Sequence, residues 1–180
     1  MTAARITSPL QIPTAGLYRM DPQRSEVSYA GRHMFGLGVV HATFALRSGE
    51  LRVGDPVTTS AVSVTVDAGS FSSNSAKRDK DVRGASLLDV ARHPDITFVS
   101  NGVGTEPGTD GWMMTGTVTA HAHTVPVEVL IDGATPETDG VRLHGRVRRL
   151  DRYDFGITGS KGMVGRYLDL ELDVFATPTS

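Results

Sequence analysis

The chain has no cysteine among its 180 residues. That absence excludes disulfide cross-links, thiolate nucleophiles and cysteine-held zinc or iron–sulfur centres. It has no dominant sign of charge either: 18 Lys and Arg stand against 20 Asp and Glu, a net charge of −2, so no nucleic-acid footprint is expected. No window approaches the ~20 consecutive apolar residues of a membrane helix, which argues against stable membrane insertion. Residues 1–16 hold one basic residue, Arg5, and two prolines, without the apolar run of roughly 7–15 residues that a secretory leader needs. A cytoplasmic location is therefore the expectation, with 1–15 a flexible N-terminal segment ahead of one domain over 16–177. A Gly-x-Ser-x-Gly elbow is missing, and Gly159-Ser160-Lys161-Gly162 lacks the spacing of a phosphate-binding loop. Tryptophan occurs once, as Trp112, where it is expected to pack beside the turn ending at Gly111.

What is present is two-residue alternation. Val62, Val64 and Val66 alternate with Ser63, Thr65 and Asp67; Val125, Val127, Val129 and Ile131 with Pro126, Glu128, Leu130 and Asp132; Leu168, Leu170, Leu172 and Val174 with Asp169, Glu171 and Asp173. Strands with one buried and one wet face read this way. Further strands are expected over 26–32, 39–47, 50–53, 96–103, 113–121 and 141–150. The breaks between them, Gly54-Asp55-Pro56, 104–111 and 135–140, carry the Gly, Pro, Asp and Thr of turns. An apolar fraction of 39% with 21% charged residues suits one soluble all-β domain, a barrel or sandwich.

The pattern breaks over 70–88. Asn74 or Ser75 can cap a short helix that Gly84 ends. The run Lys77-Arg78-Asp79-Lys80-Asp81-Val82-Arg83 admits two readings. One is a solvated helix face with mutual ion pairs of ~0.2–0.5 kcal/mol each. The other is a ring of donors, Arg78 and Arg83 with Asp79, at a barrel mouth, since the guanidinium fork suits phosphate or carbonyl oxygens.

Beyond the helix, Leu88-Asp89-Val90-Ala91-Arg92-His93-Pro94 is a turn segment halted by Pro94, and Asp95-Ile96-Thr97-Phe98-Val99-Ser100 opens a strand. This order resembles the signature of the YceI-like family of polyisoprenoid-binding, lipocalin-like proteins. Further pieces of the resemblance are colinear from about Gly16 to Ala176: Tyr18-Arg19-Met20-Asp21-Pro22 with Ser25-Glu26-Val27-Ser28-Tyr29, then Gly31-Arg32-His33-Met34. The run Gly116 to Val127, with His121 and Thr124-Val125-Pro126-Val127, follows, then Asp154-Phe155-Gly156-Ile157 and Val164-Gly165-Arg166-Tyr167-Leu168. Ala122 and His123 stand where the family usually has glycine and an apolar residue.

The resemblance implies a single antiparallel eight-stranded lipocalin-like β-barrel with a short helical segment near one end. It implies a carrier rather than an enzyme, one that sequesters or transports a polyisoprenoid, an isoprenoid quinone or a similar long lipid. No cofactor beyond that lipid is expected. The partner is the small-molecule lipid, with pairing into a homodimer possible. In the resemblance the Arg78-Asp79 pair matches one whose job is to tie the helix to the barrel rim, while Arg78 can also lend its donors to a head group. Inward strand positions supply the candidate wall: Val27, Tyr29, Phe44, Leu46, Val62, Val64, Phe98, Met113, Val127, Val129, Phe155, Leu170 and Leu172, joined by His33 from its family position inside the barrel. Each of these is equally readable as plain core packing.

The alternative is a zinc-dependent hydrolase or hydratase-like enzyme. His121 and His123 lie two apart on an expected strand and so on one face, and His33 or His41 can approach from neighbouring strands to complete a site with an open position. The plainer reading makes His121 a strand-end residue bonded to backbone, His123 an exposed turn residue, and His93 and His144 surface residues.

Overall fold

The computed structural model describes residues 10–180. Nine strands and one α-helix follow in order: β1 Gly16–Met20, β2 Glu26–His33, β3 Gly38–Val53, β4 Ala61–Asp67, α1 Ala76–Arg83, β5 Asp95–Thr105, β6 Trp112–Ala120, β7 His123–Glu137, β8 Gly140–Asp151 and β9 Val164–Pro178. Strands β2 to β9 pair antiparallel in the order β3-β2-β9-β8-β7-β6-β5-β4, and β4 returns to pair with β3. This is a closed eight-stranded barrel, so the main sheet has no free edge to invite edge-to-edge association. Strand β1 lies beyond the end of β2, between β3 and β9, with Tyr18 opposite both Leu51 and Pro178.

Alternation fixes which side chains enter the barrel, and bulges reset it. In β3, Leu46 pairs with Val66 and Ser48 with Thr65, leaving Arg47 as an extra residue. Even-numbered residues point inward before it and Leu51 and Val53 after it. The segments 39–47 and 50–53 are therefore one bulged strand, not two. Asn101 in β5 and Asp132 in β7 are extra residues of the same kind, and β8 shifts between Val147 and Leu150, where Arg149 has φ 57. Each bulge increases local twist and helps the sheet close.

The end that holds α1 is shut. Ser75 caps the helix and Gly84 ends it, and the loop before it places Phe71 across the barrel floor, 3% exposed. The Phe71 ring meets Phe44 edge-on at 5.3 Å and Tyr29 at 5.8 Å. Ser72 pairs through its backbone with Thr43, on the stretch of β3 that β4 does not cover. The charged run serves this plug. Asp79, 7% exposed, accepts from Ser73 N (2.9 Å) and Ser73 Oγ (2.6 Å), Arg78 Nη1 donates to Ser73 Oγ (3.2 Å), and Arg83 Nη2 donates to Phe71 O (2.5 Å). Two readings of that run are corrected in part: Lys77, Lys80 and Asp81 do face solvent, but the run forms no mutual ion pairs among the described residues, and Arg78, Asp79 and Arg83 do not ring a mouth. Those last three bind Ser73 and the Phe71 carbonyl of the loop they hold. No described helix is long and apolar enough to cross a membrane.

Candidate functional site

Inside the barrel lies a cavity of about 230 Å³ whose wall is almost wholly apolar. Val62, Val64 and Val66 of β4 face it together with Phe98 and Val103 of β5, Met114 and Val118 of β6, Val127, Val129 and Ile131 of β7, Leu143 and Val147 of β8, and Leu170, Leu172 and Val174 of β9. It runs away from the Phe71 plug toward Val57, Ser60 and Trp112, and there Leu10, Ile12 and Pro13 of the N-terminal segment border it, Ile12 about half exposed. Gln11 N donates to Ala134 O and lays that segment against β7. The expectation of a flexible 1–15 thus falls partly on residues 1–9, outside the described residues, and partly on residues that border the cavity.

Of the fifteen candidate site residues, ten line this space: Val27, Phe44, Leu46, Val62, Val64, Phe98, Val127, Val129, Leu170 and Leu172. Five do not. Met113 is opposite Leu130, whereas Met114 is opposite Val129, so Met114 is the methionine that points inward. Phe155 belongs to a separate cluster with Leu87, Ala120 and Ile157 beneath the shut end. Tyr29 packs into the floor against Phe71. His33 closes β2 at the turn toward β3, its ring over Gly38, not inside the barrel. Arg78 is bonded to Ser73 at the shut end, the whole barrel away from Ile12 and Val57.

The zinc arrangement is also corrected. Strand β6 stops at Ala120 and β7 starts at His123, so His121 and Ala122 form a two-residue turn, with φ 51 and 60. Among the described residues no potential ligand set joins His121, His123 and His33. His41 is exposed on β3. His144 is not a free surface residue, because its Nδ1 meets Asp132 Oδ1 at 2.5 Å.

Comparison with known proteins bears on this architecture directly. The model of the YceI-like domain matches residues 18–176. This chain belongs to the YceI-like family. Relatives include a UPF0312 protein of Pseudomonas putida, 32% identical over 167 residues, 89% of this chain and 85% of the relative. Another, from Vibrio cholerae, is 30% identical over 156 residues, 83% and 80% of the two chains. Among solved structures, Burkholderia cenocepacia BcnA superposes with a TM-score of 0.76 at 19% identity, covering 88% of this chain and 99% of that one. A polyisoprenoid-binding domain from Saccharophagus degradans, implicated in plant cell wall breakdown, gives 0.66 at 12% identity over 90% and 98%. At such identities these two likenesses speak for the fold.

In this YceI-like barrel one arginine is buried near the shut end. Arg152, 4% exposed, donates from Nη1 to Ile157 O (2.6 Å), from Nε to Gly165 O (2.8 Å) and from Nη2 to Val164 O (2.9 Å). Burial pulls its pKa below the ordinary arginine value. Burial pushes the Tyr29 phenol above its ordinary 10.0, and the positive Arg152 pulls part of the way back. The unfolded chain then gives up this proton before the folded one does. Stability should be unaffected by Tyr29 below pH ~10 and should fall as pH rises beyond it. Tyr29→Phe should remove that part of the alkaline loss, read as a smaller difference between urea midpoints at pH ~8 and ~10.5 than in the wild type. An identical difference in both proteins would contradict the assignment.

Several wall residues escaped the sequence reading although a signal existed. Val66, Ile131 and Val174 continue the same two-residue series as Val64, Val129 and Leu172. Val103 and Ala134 lie past bulges, where the series changes parity. Trp112 carried no periodic signal of its own because it begins its strand.

Proposed function

We propose that this YceI-like chain binds a long, slender apolar lipid, of the polyisoprenoid or isoprenoid-quinone kind, inside the barrel and carries it without chemical change. The observation that carries the reading is the continuous apolar wall of the cavity, from Phe44, which packs on the Phe71 plug, to Ile12 and Val57. A closed eight-stranded barrel leaves space for side chains alone or for one ligand, and here it is not filled. About 230 Å³ is below the ~300–1,000 Å³ common for ligand pockets. The cargo is therefore a narrow chain that enters tail first, parts flexible walls such as Met114, and leaves its head group at the Ile12 and Val57 end. The polyisoprenoid-binding neighbour supports the choice of lipid class.

This orientation gives no role to Arg78, which lies at the other end. Arg78→Ala should change lipid affinity by no more than about twofold, far from the tenfold or greater loss expected on removing a charge-assisted bond to a head group. Titration of the folded variant with a fluorescent prenyl or acyl probe measures it. The same titration tests the function: the wild type should saturate at one probe per chain, with unlabelled long prenyl alcohol displacing the probe. Failure to bind any such chain would count against the carrier reading.

A further inference from the structure

Outside the cavity, three side chains converge at the shut end of the barrel. Asp89 and His93 lie four residues apart in the turn segment after α1, where Asp89 O accepts from both Arg92 N and His93 N, so the two side chains leave one side of a single turn. His121 comes from the β6–β7 turn. One ligand atom from each, a carboxylate oxygen and two imidazole nitrogens, lies within 4.8 Å of the others. The rings of His93 and His121 are 4.7 Å apart between centroids.

We propose that Asp89, His93 and His121 form a site for one divalent transition-metal ion, of the zinc or nickel class, which ties the segment after α1 to the β6–β7 turn. Two observations carry it. First, His121 Nδ1 is 3.2 Å from Phe155 O. A carbonyl oxygen only accepts, so Nδ1 bears the proton and Nε2 presents its lone pair, which is the way a backbone carbonyl commonly orients a metal-bound histidine. Second, Asp89 is buried and its nearest cation is Arg92 at 3.9 Å, itself 80% exposed. A sheltered carboxylate with so distant a partner gains from a closer positive charge.

Two imidazoles and one carboxylate suit zinc, nickel or copper better than magnesium or calcium, which prefer oxygen ligands. Tetrahedral ligands at ~2.0–2.2 Å from an ion sit roughly 3.3–3.6 Å apart, so small side-chain rotations close the gap. Water takes the fourth position. The role is structural: the ion staples the cap that shuts the barrel floor, and it stands apart from the lipid cavity.

The test is calorimetric titration of chelator-treated protein with zinc chloride, followed by thermal melting with and without zinc. One ion per chain is expected, with a rise in melting temperature of about 5 °C or more at saturation. His93→Gln and Asp89→Asn, both close in shape, should each lower the affinity at least tenfold while circular dichroism stays that of a β-barrel, and His121→Ala should lower it further. His41→Ala, on exposed β3, should leave it unchanged. Cobalt substitution should give the visible absorption of a tetrahedral ion, lost in His93→Gln. Zinc binding that persists undiminished in folded His93→Gln, or no binding by the wild type, overturns the proposal.

Discussion

Val129→Trp is expected to abolish lipid binding, by at least ~100-fold in affinity, while the barrel stays folded. Val129 is 4% exposed and packs with Met114 and Val147 midway along the cavity. An indole placed there fills the space a ligand would take with apolar bulk. Overpacking costs roughly 1–3 kcal/mol of stability, less than most domains hold in reserve. The companion variant Phe98→Asp works by the opposite physics, putting a charge into a wall whose described residues include no Lys or Arg, at a cost of several kcal/mol to any apolar cargo. Loss in both variants locates the ligand, since one fills the tube and the other makes it polar. Wild-type probe affinity in folded Val129→Trp would mean that the lipid sits elsewhere.

The second large effect concerns Arg152. Replacing it by methionine is expected to remove about 3–5 kcal/mol of stability, measured by urea unfolding at neutral pH. Substituting a buried ion pair with apolar residues is often neutral because both charges leave together. Here the guanidinium faces no carboxylate acceptor; it satisfies the carbonyls of Ile157, Val164 and Gly165. Its removal leaves three acceptors without a donor in a part of the chain that joins the turn after β8 to the start of β9. Arg152→Lys, which offers a point charge in place of a fork, should recover only part of the loss. A methionine variant within about 1 kcal/mol of wild type would show that water replaces the lost donors.

The barrel was legible where a strand is uninterrupted. Val62 to Val66, Val125 to Ile131 and Leu168 to Val174 each hold one parity, and each face was read correctly from alternation alone. It became illegible at Arg47, Asn101 and Asp132, because an extra polar residue in a strand looks like any other outward residue until its partner strand is known. Without that register the sequence offers Met113 as readily as Met114, and the structure turns Met114 inward. The helix was readable from Ser75 and Gly84, but the use of its charges was not. Asp79 is buried because Ser73, six residues earlier, folds back to donate to it, a contact that no spacing rule announces. The histidines illustrate the same limit. Spacing in the sequence pairs His121 with His123, yet the group that converges draws Asp89 and His93 from a segment about thirty residues away.

The barrel interior is proposed to hold one long apolar lipid. The most direct test is mass spectrometry of the organic-solvent extract of purified, natively folded protein, with the extracted lipid quantified against the protein. A single class of long-chain isoprenoid or comparable lipid is expected at close to one molecule per chain from the wild type, and little or none from Val129→Trp. An extract in which no apolar molecule approaches one per chain, or in which the same amount comes from Val129→Trp, would contradict it.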